Sequence, residues 1–109
     1  MDERTLRALN GAITKWENIV AGKDIDRGVD NCPLCNLFYY GHDCKGCPVF
    51  AKTGQTACQD TPYQDEFVPA KSAYEYEKNG PRTKRLARLK KDMAVAVKVE
   101  LKFLKGLLP

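Results

Sequence analysis

Five cysteines are the residues of this chain best suited to chemistry, and all lie in its middle third: Cys32, Cys35, Cys44, Cys47 and Cys58. Four of them form the string Cys32-Pro33-Leu34-Cys35, eight intervening residues, then Cys44-Lys45-Gly46-Cys47-Pro48. Two residues between cysteines let both thiolates of a tight turn face one ion at about 2.3 Å, and two such turns supply four sulfurs for a tetrahedral site. Gly46 permits a sharp bend, and turn amides can point at the sulfurs and spread their charge. Zn2+ is therefore the expected cofactor. The fourth ligand stays open. The two CxxC pairs are the first choice, but Cys58, with ten residues between it and Cys47, can replace Cys44, and His42 is a third candidate. Outside a metal site, His42 reads as a solvated loop residue and Cys58 as a small buried apolar side chain.

Other cysteine chemistries fit less well. A catalytic zinc keeps an open position for water, which four thiolates close, and no His-Glu pair accompanies them. A thioredoxin-like dithiol calls for CxxC at a helix start in a βαβ setting, and no such setting is visible. An iron–sulfur cluster uses four cysteines as well and stays an alternative. The chain shows no phosphate-cradling glycine loop, no serine triad and no paired carboxylates; Glu75 and Glu77 are two apart on an expected helix and do not face each other. An enzyme is not expected.

The ordered run CPLC, CKGCPVF, TGQTAC and TPY, with the preceding WENIVAGKDID, resembles a motif of small cysteine-rich proteins encoded by bacteriophages. The resemblance covers about residues 14 to 66. It implies that the fifth cysteine belongs to the pattern and that the chain acts inside a bacterial host. It attaches no activity.

The elements that must position these cysteines are expected to be helices. Leu6, Leu9, Ile13, Trp16 and Val20 recur at spacings of three and four, which predicts an amphipathic helix within residues 1–22, capped by Asp2 and ended at Gly22. Residues 28–62 are rich in glycine, proline and cysteine and read as metal-binding loops. Thr61-Pro62 with acidic residues after it starts short helices over 62–78, with Pro69 expected to interrupt them. Pro81 opens a last helix over 81–108, whose Leu86, Leu89, Met93, Ala96 or Val97, Leu101, Leu104 and Leu107 or Leu108 form a near-heptad stripe. The fold class is mostly α: one domain with N- and C-terminal helices packed together around a zinc-stapled loop region, small strands being allowed. A chain of 109 residues builds a modest core, so a metal staple where apolar residues are thin makes physical sense.

The net charge of +4 is uneven: residues 1–31 sum to −1, 32–80 to −2 and 81–109 to +7. Arg82, Lys84, Arg85, Arg88 and Lys91 crowd the start of the last helix. They suit nucleic-acid phosphate or an acidic protein partner, or form a solvated surface. Phe38, Tyr39 and Tyr40 pad the metal site or stack on bases. Trp16 reads as core. The charged opening MDERTLRALN lacks an apolar signal segment, and no run approaches the roughly 20 apolar residues of a membrane span, so the expected setting is the bacterial cytoplasm, with no membrane partner. Two function classes follow. One is a zinc-stabilised protein that binds a host or phage protein, for instance as an inhibitor of host machinery or of an antiviral defence. The other is a nucleic-acid-binding zinc module. The long apolar stripe also admits a homodimer through the C-terminal helix.

Overall fold

The computed structural model describes residues 1–39, 43–80 and 85–109. It is mostly helical, with no strand among the described residues and with the first and last helices packed on each other, as the sequence predicts.

Helix α1 spans Glu3–Val20. Its start is fixed by Asp2, whose Oδ1 accepts the Thr5 amide at 2.7 Å. This bond holds the Asp2 carboxyl below the usual carboxylate range, with help from the Arg4 charge. The end is a Schellman turn: Gly22 takes φ +75°, its amide donates to the Ile19 carbonyl, and the Lys23 amide donates to the Asn18 carbonyl at 2.8 Å. The buried stripe is Ala8, Leu9, Ala12, Ile13 and Trp16, with Thr5 and Lys15 at its edges. It is rotated from the expected stripe, for Leu6 is only half-buried and Val20 is exposed. The small residues on that face explain the shift. A Cβ on Gly11 would come within 2.9 Å of Pro33 Cγ, so α1 meets the first cysteine helix at very close range.

A 3₁₀ turn over Gly28–Asn31 leads into two six-residue helices, α2 (Pro33–Phe38) and α3 (Pro48–Thr53). Both begin at a Cys-Pro pair. Cysteine is the N-cap, and proline is the first helical residue, where its missing N–H leaves no bond unmade.

The expected interruption at Pro69 is absent. A π-helical turn over Tyr63–Phe67 runs without a break into α4 (Val68–Asn79), and Phe67 at the junction keeps helical angles of −70° and −50°. Proline cannot donate to the carbonyl four residues back, and the wider π turn just before it absorbs that missing bond without ending the helix.

Helix α5 spans Arg85–Lys105. The first residues of the expected 81–108 helix, Pro81 to Lys84, lie outside the described residues. At the other end the helix stops at Lys105, short of the expected 108, and closes with turn bonds from Gly106, Leu107 and Leu108. Leu89, Ala96, Val97 and Leu104 are buried, and Met93, Leu101, Phe103 and Leu107 pack partly against the same core. The near-heptad stripe is thus taken up within the chain by α1, α4 and the π turn. Glu100 is buried on this face too, which apolar periodicity did not indicate.

Candidate metal centre

All five cysteines line one cavity of about 210 Å³, shared with Lys15, Trp16, Asp26, Tyr63 and Glu100. The thiols reach it from three pieces of chain: the start of α2, the turn that leads into α3 and the loop before the π turn. Cys47 is buried and the other four are half-buried, and no disulfide links them. Among the described residues, no group of three or more Cys, His, Asp or Glu is placed so as to hold a metal ion as it stands. His42 and Tyr40 lie outside the described residues.

The backbone around the thiols is unusual. Asp43, Cys44, Ala57, Cys58 and Asp60 have φ between +48° and +65°, the left-handed region that side chains other than glycine rarely enter. Each such residue costs of order 1–3 kcal/mol and persists when its surroundings over-determine it. Here they do. The Cys44 amide donates to the Phe38 carbonyl at 2.7 Å, and the Cys47 amide to the Cys44 carbonyl at 3.0 Å. Gly46, at φ +89°, lies so close to the Phe38 ring that a Cβ would meet it at 3.0 Å. Thr61, almost fully buried, donates its hydroxyl to the Cys58 carbonyl at 2.6 Å, and Gln64 Nε2 donates to the Ala57 carbonyl at 2.9 Å. Phe38 is therefore padding beneath the second turn, while Tyr39 is exposed at the rim.

The thiols differ electrostatically. Cys32 is pulled down to about 6, chiefly because the Cys35 thiol shares a hydrogen bond with it, assisted by the Cys35 and Leu34 amides and the Lys15 charge and opposed by burial. Cys35, the partner in that bond, is pushed up by it, by burial and by the charge of Cys32. Burial raises Cys58 to about 12 and raises Cys47, although the Phe50 and Val49 amides favour the Cys47 thiolate. The amides at the starts of α2 and α3 thus aid sulfur ionisation without forming full capping bonds.

Two features of the cavity escaped sequence reasoning. The first is a buried ion pair. Lys15 Nζ lies 2.7 Å from Asp26 Oδ1, and the two side chains keep 6% and 4% exposure. Asp26 also accepts the Tyr63 hydroxyl at 2.8 Å and the Gly28 amide at 3.0 Å, while Lys71 donates to its carbonyl at 3.1 Å. Burial works against the Asp26 carboxylate, but Lys15, then Tyr63 and Gly28, outweigh it and hold the group below 3.8. Tyr63 is raised in turn by burial and by Asp26. A lysine flanking Trp16 on the buried side of α1 was the available signal. The second feature is Glu100, which keeps only 5% exposure and whose Oε2 has no hydrogen-bond partner. Burial, then the charge of Cys32, lifts this carboxyl to about 8. Its signal was a lone acid in line with the buried turns of α5.

Of the expected basic site, Arg85, Arg88 and Lys91 lie exposed along the first turns of α5. Arg85 pairs with Glu77 at 3.7 Å and Arg88 with Asp92 at 4.0 Å, and Lys91 is exposed. Arg82 and Lys84 lie outside the described residues. No helix among the described residues is long and apolar enough to cross a membrane. No protein-family model, curated protein or solved structure matches the chain, so its chemistry rests on its own geometry.

Proposed function

We propose that this is a zinc-stapled binding protein of phage type that engages a host or phage macromolecule and performs no catalysis of its own. The observation that carries the reading is the convergence of five thiols from three chain segments on one cavity, two of them on strained left-handed backbone. A cation there would draw the thiols inward and convert its binding free energy into folding free energy for loops that otherwise bury little. The zinc serves structure, because thiolate ligands leave no open position for substrate. The network of Lys15, Asp26 and Tyr63 supports the same view: its hydrogen bonds tie these side chains to one another. The resemblance to phage cysteine-rich proteins would put the partner in a bacterial cell, where a protein that blocks host machinery or an antiviral defence would act.

A pull-down of the tagged chain from infected and uninfected bacterial lysate tests this, run with nuclease, high salt and a zinc chelator as separate arms. The reading expects a specific protein that survives nuclease and salt and is lost on chelation. Recovery of nucleic acid, weakened steeply by salt and by Arg85→Glu with Arg88→Glu, would replace it with a nucleic-acid-binding module. A captured protein indifferent to chelation would separate binding from the cysteine cavity.

A further inference from the structure

We infer that Glu100 is an oxygen ligand of the cation held by the cysteine cavity, so that the metal latches the C-terminal helix onto the cysteine loops. The inference deepens the zinc reading and rests on it.

Three observations meet at this side chain. Glu100 lines the same cavity as the five thiols, although it comes from α5, whose packing otherwise runs along α1, α4 and the π turn. It is buried to 5% exposure, where carboxyls are rare, and the Tyr63 amide that its carboxyl accepts and the Lys15 charge offset that burial only in part. Its Oε2 has no hydrogen-bond partner, the one buried side-chain polar atom so left among the described residues. Buried polar groups in folded proteins are paired almost without exception, and an unpaired one calls for a reason such as an ion. The neighbours fit that reason. Cys32 and Cys58 are the thiols electrostatically coupled to Glu100, and all three are donors that a tetrahedral zinc accepts, sulfur at about 2.3 Å and carboxylate oxygen at about 2.0–2.2 Å. The Lys15 charge favours the Glu100 carboxylate, but its hydrogen bond goes to Asp26 at 2.7 Å and leaves Oε2 unpaired.

The mixed set has a consequence for folding. With sulfur ligands alone, the cation would organise residues 32 to 58 and leave α5 to its apolar contacts. With Glu100 as a ligand, metal binding and docking of α5 become one event.

Cobalt(II) and cadmium-113 report the donor atoms directly. Full-length protein is loaded with each metal, beside Glu100→Gln, which keeps the shape and removes the anionic donor, and Glu100→Leu. The expected result is a wild-type signature of mixed sulfur and oxygen ligation. Glu100→Gln should move it toward sulfur-only ligation as a further thiol takes the vacated position, with zinc affinity reduced by at least ~10–100-fold, the range reported for loss of mere supporting groups. Leu should do the same, and both variants should lose the effect of metal on hydrogen exchange in α5. A wild-type sulfur-only signature, unchanged in both variants, overturns the inference and leaves the zinc reading standing. A fall in affinity with unchanged signatures also overturns it, since Glu100 would then act only through a thiolate. Failure of the wild-type chain to bind either metal sinks the zinc reading and the inference together.

Discussion

Removing the Asp26 carboxylate is expected to be among the most damaging single changes in the chain. Asp26→Ala deletes the acceptor of Lys15 at 2.7 Å, of Tyr63 at 2.8 Å and of the Gly28 amide at 3.0 Å. It leaves an ammonium with 6% exposure and no ion-pair partner. Breaking a buried pair in this way costs about 3–5 kcal/mol, out of a total near 5–15 kcal/mol for a domain of this kind. With a urea slope of about 2 kcal/mol per molar, the midpoint should fall by about 2 M. Trp16 is a built-in reporter, since its ring meets Tyr63 at 5.8 Å and Phe67 at 5.0 Å, both edge-on. The pair itself is not expected to add much over apolar packing, so the double change Lys15→Met with Asp26→Leu should recover most of the loss. A midpoint shift for Asp26→Ala below about 0.5 M, or a double variant as unstable as the single one, would refute the view that the cost comes from a stranded buried charge.

Four further outcomes follow. Because the folded-state Asp26 carboxyl sits below 3.8, its stabilisation should be complete above about pH 5 and fade as pH falls through that lowered value; Asp26→Asn should flatten this acid limb in a pH series of urea melts. Gly46→Ala should cost about 1–3 kcal/mol, from φ +89° and the 3.0 Å approach to Phe38, read as a lower thermal midpoint. Leu9→Ala, at a fully buried position in the centre of α1, should cost about 2–5 kcal/mol in a urea melt. Leu101→Glu should destabilise the monomer and leave its mass in light scattering unchanged, because Leu101 packs within the chain's own core.

Where periodicity or capping chemistry decided the local structure, the sequence was easily read. Asp2, Gly22 and the Leu9-Ile13-Trp16 series define α1, and the leucines of α5 define its packed face. The rotation of the α1 stripe was not legible, since it depends on Gly11 admitting Pro33, a contact between elements. The persistence of the helix past Pro69 was missed for a similar reason: a π turn is a non-local accommodation that residue preferences do not signal. In the site, the thiols announced themselves by spacing. Asp26 did not, because it sits in a polar turn-forming stretch, and its burial follows only once Lys15 and Tyr63 are brought to it from α1 and the π turn. Glu100 was hidden by its place among apolar neighbours on α5, where a pattern of apolar residues passes over a single acid. The cluster of left-handed residues at Cys44 and Cys58 could not be read at all, because cysteine and alanine carry no preference for that conformation.

Zinc content combined with thiol protection tests most directly whether a cation staples the cysteine loops. The untagged full-length chain, purified under reducing conditions without added metal, is analysed for bound metals and then treated with a thiol reagent before and after a strong chelator. One zinc per chain is expected, with slow reaction of most of the five thiols, and rapid reaction of all five after chelation together with loss of helical signal from the middle section. A folded, metal-free chain whose thiols all react at the rate of free cysteine, and whose melting point ignores both zinc and chelator, would contradict it.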